Sequence, residues 1–278
     1  MLDLRKWFLR LYYQFRKSVS TEYLGEFGYE LISVIPFAYW LHQQQKLEGT
    51  ISASDTKALY YFSDNHLEKQ EPRDYVIPSS FPIRNIHRRF LNTMMWSPPP
   101  YKEIYKNDIF VFDKPLYIIC NKYNSEWGHP PITFFSKSML ATMFNRLKDQ
   151  YHIVYCRPTS AQITDDNSDI YDLKEHDWIR IQFPMVDLVQ DLFEQSSFDS
   201  FNTFQCHLFA NSDRFISVQG GYSIFCSYFK GTNIIYGARS SLRTADEIVY
   251  KAYDRWYHKF SGATIKYAAT YDEVIEYI

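Results

Sequence analysis

Cysteine is sparse in this chain of 278 residues: Cys120, Cys156, Cys206 and Cys226 stand singly and no two form a CxxC pair. That pattern offers neither a thiolate zinc ribbon nor a disulfide framework, and it fits a reducing, cytoplasmic compartment. Long apolar runs are missing as well; no stretch of about 18 apolar residues occurs, so no segment is expected to span a membrane. Excess charge of either sign is lacking, with 30 Lys and Arg against 32 Asp and Glu and a net charge of -2 at pH 7. A duplex binder needs a basic footprint to displace counterions, so nucleic acid is not the expected partner.

What the chain has instead is aromatic residues. Its 24 Tyr, 22 Phe and 6 Trp make up 19% of the sequence, within a hydrophobic share of 46%. Such side chains build a core, and Tyr and Trp also stack on sugar rings and bases while keeping a polar handle. A carbohydrate or nucleotide ligand is therefore in view. The length suffices for one large domain or two of moderate size. At the start, Leu4, Phe8, Leu11 and Phe15 share one helical face, with Arg5, Lys6, Arg10, Arg16 and Lys17 on the rest. A basic amphipathic helix of this kind packs on its own domain or makes peripheral membrane contact, here through residues 2–17.

The most informative stretch is 214–237, RFISVQGGYSIFCSYFKGTNIIYG. It reads as a buried strand over 215–218, a turn at Gly220 and Gly221, a helix over 222–229 and a second strand over 233–236. Strand, glycine turn and helix present bare backbone N–H groups to an anion, typically a phosphate. Gln219, Gly220 and Gly221 are the expected contacts, with the hydroxyls of Tyr222 and Ser223 in the first helical turn. The same turn also arises where glycine is needed only for its backbone freedom. Nearer the start, GEFGYEL places Glu26 between Gly25 and Gly28, ahead of an apolar helix that Pro36 bends or restarts. A carboxylate fixed there can take a proton from an attacking hydroxyl. It can equally cap the helix or pair with a cation, and Glu30, further in, reads as structural.

Residues 58–62, ALYYF, read as a strand of an N-terminal sheet, and 68–100 as a polar, proline-rich approach to a domain boundary. His87, Arg88 and Arg89 form a small basic cluster within it. The second half opens on PLYIIC, a run suited to a central parallel strand, followed by a polar loop carrying Asn121, Lys122, Tyr123, Trp127 and His129. A helix over 137–150 follows, then the strand HIVYC ending at Arg157. Asn121, Lys122 and Arg157 would thus emerge at the carboxyl ends of adjacent strands, the edge where open α/β sheets bind ligands. Residues 178–183 read as a third strand and 186–195 as a helix. Five strands alternating with helices over 115–237 make a Rossmann-like half, and Thr270 caps a C-terminal helix.

An acid in an N-terminal glycine loop, a proline-rich crossing and a Rossmann-like half with a Gly-Gly helix start together resemble the two-domain GT-B glycosyltransferases. GEFGYEL, NKYNSEW with VYCRP, and FISVQGGYS are similar to enzymes of polysaccharide loci and of large algal, chlorella-type viruses. The resemblance implies an α/β fold of two Rossmann-like halves facing a cleft: an acceptor-side domain over 1–110, trimmed in size, and a nucleotide-sugar domain over 111–278. It implies transfer of a sugar from a nucleotide-diphosphate donor, by default a UDP-sugar with UDP-xylose as one candidate, to a glycan or oligosaccharide hydroxyl. Asn121, Lys122, Tyr123, Arg157 and 219–223 would then hold the donor, and Gly25, Gly28, Trp127 and His129 would face the acceptor. Glu26 would be the base of an inverting displacement, with His129 as its rival and a retaining mechanism still open. No cofactor or metal is expected, since basic groups offset the diphosphate and no DxD triplet follows a strand. Two other readings stay open: a sugar- or nucleotide-binding module without catalysis, and a dinucleotide-using Rossmann enzyme, which would want GxGxxG at its first strand.

Overall fold

The computed structural model describes residues 4–71, 73, 95–125, 129–157, 170–238 and 257–278. They fall into two compact units that part between Pro99 and Pro100. The basic cluster at 87–89 and Trp127 lie outside the described residues.

The first unit runs α1 (Leu4–Phe15), β1 (Val19–Glu22), α2 (Phe27–Tyr29), a π-helical turn (Glu30–Val34), α3 (Ile35–Gln43), β2 (Leu47–Ala53), a 3-10 turn (Lys57–Tyr60) and β3 (His66–Lys69). The strands form a parallel sheet in the order β1-β2-β3. Pro36 explains the break between α2 and α3. Its nitrogen has no hydrogen to give the carbonyl of Ile32 four residues earlier, and the widened turn makes room for its ring. Trp96 Nε1 donates to that carbonyl at 2.6 Å instead. Val19, Tyr29, Val34, Phe37, Leu41 and Met95 fill the space between helix and sheet.

Residues 58–62 do not form the expected strand. Ala58, Leu59 and Tyr60 are buried in the 3-10 turn that crosses from β2 to β3, so their apolar character reflects burial of a connection.

The second unit runs α4 (Tyr101–Tyr105), β4 (Leu116–Cys120), α5 (Lys137–Leu147), β5 (His152–Cys156), α6 (His176–Gln182), β6 (Val186–Leu188), α7 (Val189–Glu194), α8 (Phe201–Ala210), β7 (Arg214–Val218), α9 (Gly221–Cys226), β8 (Thr232–Tyr236), β9 (Thr264–Ala268) and α10 (Tyr271–Tyr277). Its six strands are all parallel, in the order β6-β5-β4-β7-β8-β9. Counted from β4, that is 3-2-1-4-5-6, the doubly wound Rossmann order. β4 is buried at every position, as a strand covered on both faces must be. The Thr270 side chain accepts from Glu273 N, which caps α10 as the sequence expects. α4 belongs to this unit: Lys102 Nζ donates to Ser212 O and Asp213 Oδ1 at 2.6 and 2.7 Å, and the Tyr101 ring packs 4.9 Å from that of Tyr228.

Two expectations here are corrected. Residues 178–183 form most of α6 and its C-terminal end: Ile179 and Phe183, four apart, pack on one face while Ile181 is 73% exposed. The apolar Ile179, Ile181 and Phe183 imitate a strand's alternation, although 179 and 183 alone carry the helical period. The third strand is β6 instead, three residues long, with α7 beginning directly after it.

Candidate functional site

β4 and β7 are neighbours at the middle of the sheet, and the chain leaves them toward opposite edges. This is the topological switch point, and the crevice outside the carboxyl ends of its strands is where open α/β sheets take ligands. Two segments emerge there, Asn121-Lys122 from β4 and Gln219-Gly220-Gly221 from β7. Each continues the ladder one step past its strand: Asn121 N donates to Cys156 O and Gln219 N to Tyr236 O, both at 2.8 Å. Gly220 has φ 145° and ψ -158°, a conformation reserved almost entirely for glycine, whereas Gly221 already begins α9. A Cβ placed on Gly220 would lie 3.9 Å from both Cδ and Nζ of Lys122. The lysine ammonium therefore stands beside the bare backbone of the turn.

The hydroxyls at the turn point inward. Ser223 Oγ accepts from Gly220 N at 3.2 Å and donates to Gly220 O at 2.8 Å, which locks the turn. Tyr222 OH accepts from Gln205 Nε2 at 2.5 Å, and burial pushes its phenol well above the ordinary range. Gln219 Oε1 accepts from Tyr267 OH at 3.5 Å. On the β4 side, buried Asn121 organises its loop: Oδ1 accepts from Lys122 N and Phe135 N, and Nδ2 donates to Phe135 O. Tyr123 packs edge-on against Phe134 and Tyr171, and His129 is exposed.

Beneath this edge lies a buried polar cluster that the sequence reading did not contain. Arg157, 4% exposed, gives its Nε to Glu175 Oε1, and Tyr155 OH donates to the same oxygen at 3.1 Å. Tyr155 OH also accepts from Asn121 Nδ2 at 3.0 Å, so a chain of contacts runs from Glu175 to the β4 loop. Glu175 is fully buried and, among the described residues, its Oε2 has no hydrogen-bond partner. Beside it, burial pulls the His176 imidazole below its ordinary value of 6.5 against the raising effect of the Glu175 charge. Glu175 sits in the polar run DLKEHDW, ahead of a short helix, where nothing in the pattern marks burial. Arg157, expected at the ligand edge, is the partner of this carboxylate.

In the first unit Glu26 is half-buried and caps α2: Oε1 accepts from Gly28 N and Oε2 from Tyr29 N, each at 2.9 Å. Gly28 permits this, since a Cβ there would approach Glu26 Oε1 to 2.7 Å. Each carboxylate oxygen has a second lone pair. The loop is anchored by Arg73, whose Nη1 donates to Gly25 O at 2.9 Å and to Glu30 Oε2 at 2.8 Å. Glu30 is fully buried; its Oε1 accepts from Ser52 Oγ and from Tyr60 OH at 2.8 Å. Glu30 is thus structural, as the sequence suggested. Tyr23, above Gly25, has its phenol raised chiefly by burial and then by the charges of Glu26 and Glu30.

Among the described residues no group of three or more His, Cys, Asp or Glu side chains is placed to hold a metal ion, and no helix is long and apolar enough to cross a membrane. No family model matches the sequence, and no curated protein matches it. The fold does find a counterpart. The solved structure of E. coli ADP-heptose LPS heptosyltransferase II is similar, with a TM-score of 0.54 over 93% of this chain and 96% of that one, at 11% identity. The likeness, together with the strand order, gives this chain a GT-B-like α/β fold.

Proposed function

We propose that this chain is a glycosyltransferase that moves a sugar from a nucleotide-diphosphate donor to a glycan hydroxyl. The observation that carries the reading is the switch point of the second unit, where Lys122 stands beside the glycine turn at 220–221. A turn whose backbone has no side chain in the way, next to an ammonium, suits a diphosphate. The structural neighbour, named for its use of ADP-heptose, adds support at the level of fold.

In this proposal the acceptor oxygen attacks the anomeric carbon and the bond from that carbon to the donor phosphate oxygen breaks. The nucleoside diphosphate leaves with the electron pair, and Lys122 offsets its charge. Glu26 takes the acceptor proton, so a single displacement inverts the anomeric centre. Arg157 acts indirectly, through Glu175 and Tyr155 on Asn121. The reaction needs no metal, and UDP is the donor nucleotide by the habit of the resembled family.

A second reading, a nucleotide- or sugar-binding module without catalysis, is favoured by the use of both Glu26 oxygens in capping. The dinucleotide reading loses ground, because the loop after the first strand of the large sheet is Asn121-Lys122-Tyr123 and the glycine pair follows the fourth.

The test is a thermal-shift series with UDP, ADP and GDP, with and without EDTA, on the wild type and Gly220→Ala. A ligand at a hundred times its dissociation constant adds about 2.7 kcal/mol to the state that binds it. The proposal expects a shift with one diphosphate, indifferent to EDTA and lost in the variant. Absence of any shift overturns it. Donor hydrolysis without acceptor then separates enzyme from binding module.

A further inference from the structure

Helix α1 is held to the first unit from one side. The Tyr13 ring meets that of Phe37 edge-on at 5.0 Å, and Lys46 Nζ donates to Tyr13 O and Gln14 O at 3.1 and 2.5 Å, carbonyls near the helix end. Phe8, Tyr12 and Phe15 are 62%, 50% and 81% exposed. Their spacing of four and three residues puts them on one face. A stripe of three exposed large aromatics on a helix anchored along another side marks an interaction surface.

Charge says what the surface meets. Residues 2–17 hold five basic side chains and one acidic, a net of +4 in a chain whose total is -2. Arg16 and Lys17 are exposed just past the end of α1, and the Arg16 guanidinium lies 4.8 Å from the centre of the Tyr12 ring. A recess of about 250 Å³ opens next to it, lined by Tyr12, Tyr13, Arg16, Ser20, Glu22 and Phe37. A second copy of the chain would bring two segments of +4 together, and three aromatic side chains fall well short of the roughly 800 Å² per partner of a stable interface.

We propose that α1 docks this protein on an anionic lipid surface. Phe8, Tyr12 and Phe15 enter the boundary between headgroups and acyl chains, and Arg16 and Lys17 meet the lipid phosphates. The proposal is independent of the reaction assigned above.

Co-sedimentation of the full chain with vesicles of phosphatidylcholine, alone or mixed with phosphatidylglycerol, tests it. The wild type is expected to pellet with the mixed vesicles at low salt, to stay in solution with the neutral ones, and to be released by high salt. Arg16→Gln with Lys17→Gln should weaken partitioning by about 30-fold, at the usual contribution of a basic residue near an anionic surface. Phe8→Ser, Tyr12→Ser and Phe15→Ser together should weaken it by on the order of a hundredfold. If that triple variant melts below the wild type, Phe15→Ser alone, at the most exposed of the three positions, serves in its place. Equal binding to both vesicle types, or none to the anionic ones, overturns the proposal. So does a dimer by light scattering that the triple variant dissociates.

Discussion

Glu30 and Glu175 stand in different units but in nearly the same company: each is fully buried, pairs with a buried arginine and accepts from a tyrosine hydroxyl. The difference lies in completeness. Around Glu30, Ser52 and Tyr60 take one oxygen and Arg73 the other. Around Glu175, Arg157 and Tyr155 share Oε1, and Oε2 has no partner among the described residues. A buried ion pair recovers its desolvation cost only when the remaining lone pairs are met by donors. The first cluster therefore reads as a finished structural anchor for the loop that carries Glu26, and the second as one with a lone pair to spare.

The same substitution should separate them. Glu30→Gln must aim an amide N–H at an existing donor and leaves Arg73 without its counter-charge, at a cost of about 3–5 kcal/mol. Urea unfolding of the first unit, followed by hydrogen exchange in β2 and α3, reads this directly. Next in size is Gly220→Ala in the second unit. Forcing a Cβ into that backbone conformation costs about 1–3 kcal/mol and should abolish any nucleotide-induced shift, whatever its effect on melting. Glu175→Gln should cost less than its counterpart, about 1–2 kcal/mol: Arg157 loses this counter-charge too but keeps Asp172 at 3.8 Å, and the amide nitrogen can take the place of Oε2 while Oε1 still accepts. Equal losses at the two glutamates would break the comparison.

The smallest effect is one of pH, and it appears in both units. His66 in the first and His176 in the second are held below 6.5, in each case first by burial. A histidine with a depressed folded value binds its proton more readily when unfolded. Stability therefore rises with pH through the interval from the folded value up to 6.5 and is lost on acidification across it. Melting temperature should fall between pH 7.5 and 5.5, and His66→Asn with His176→Asn should flatten the fall. A slope unchanged in that variant would assign the acid sensitivity to other groups.

Much of the second unit's sheet was legible in the sequence, for physical reasons. β4, β5, β7 and β8 are buried at all or all but the first of their positions, so each carries a short, mostly apolar run, as a central parallel strand does. The strands that escaped notice are at or near edges. β6 has three residues, and β9, TIKYA, is only partly buried along most of its length. In the first unit, β1 alternates buried and exposed over four residues and resembles a loop, while ALYYF resembles a strand because a connection is buried there.

The candidate site divides the same way. That Gly220 and Lys122 follow strand ends was readable, because strand ends and glycine pairs leave a local signature. The inward turn of Tyr222, Asn121 and Arg157 was not, since each depends on a partner remote in sequence, Gln205, Tyr155 and Glu175 in turn.

The tryptophan that answers Pro36 also sets where the first unit can be cut. Trp96 and Ser97, whose backbone N–H reaches Pro36 O at 3.0 Å, tie the chain leaving this unit back to the bend in its central helix. A fragment stopped after β3 would hold all three strands yet lose the Trp96 bond to the Ile32 carbonyl and leave the core without Met95. The smallest autonomous first unit is therefore expected to end beyond Ser97, and its borders are drawn by a helix defect, not by its sheet.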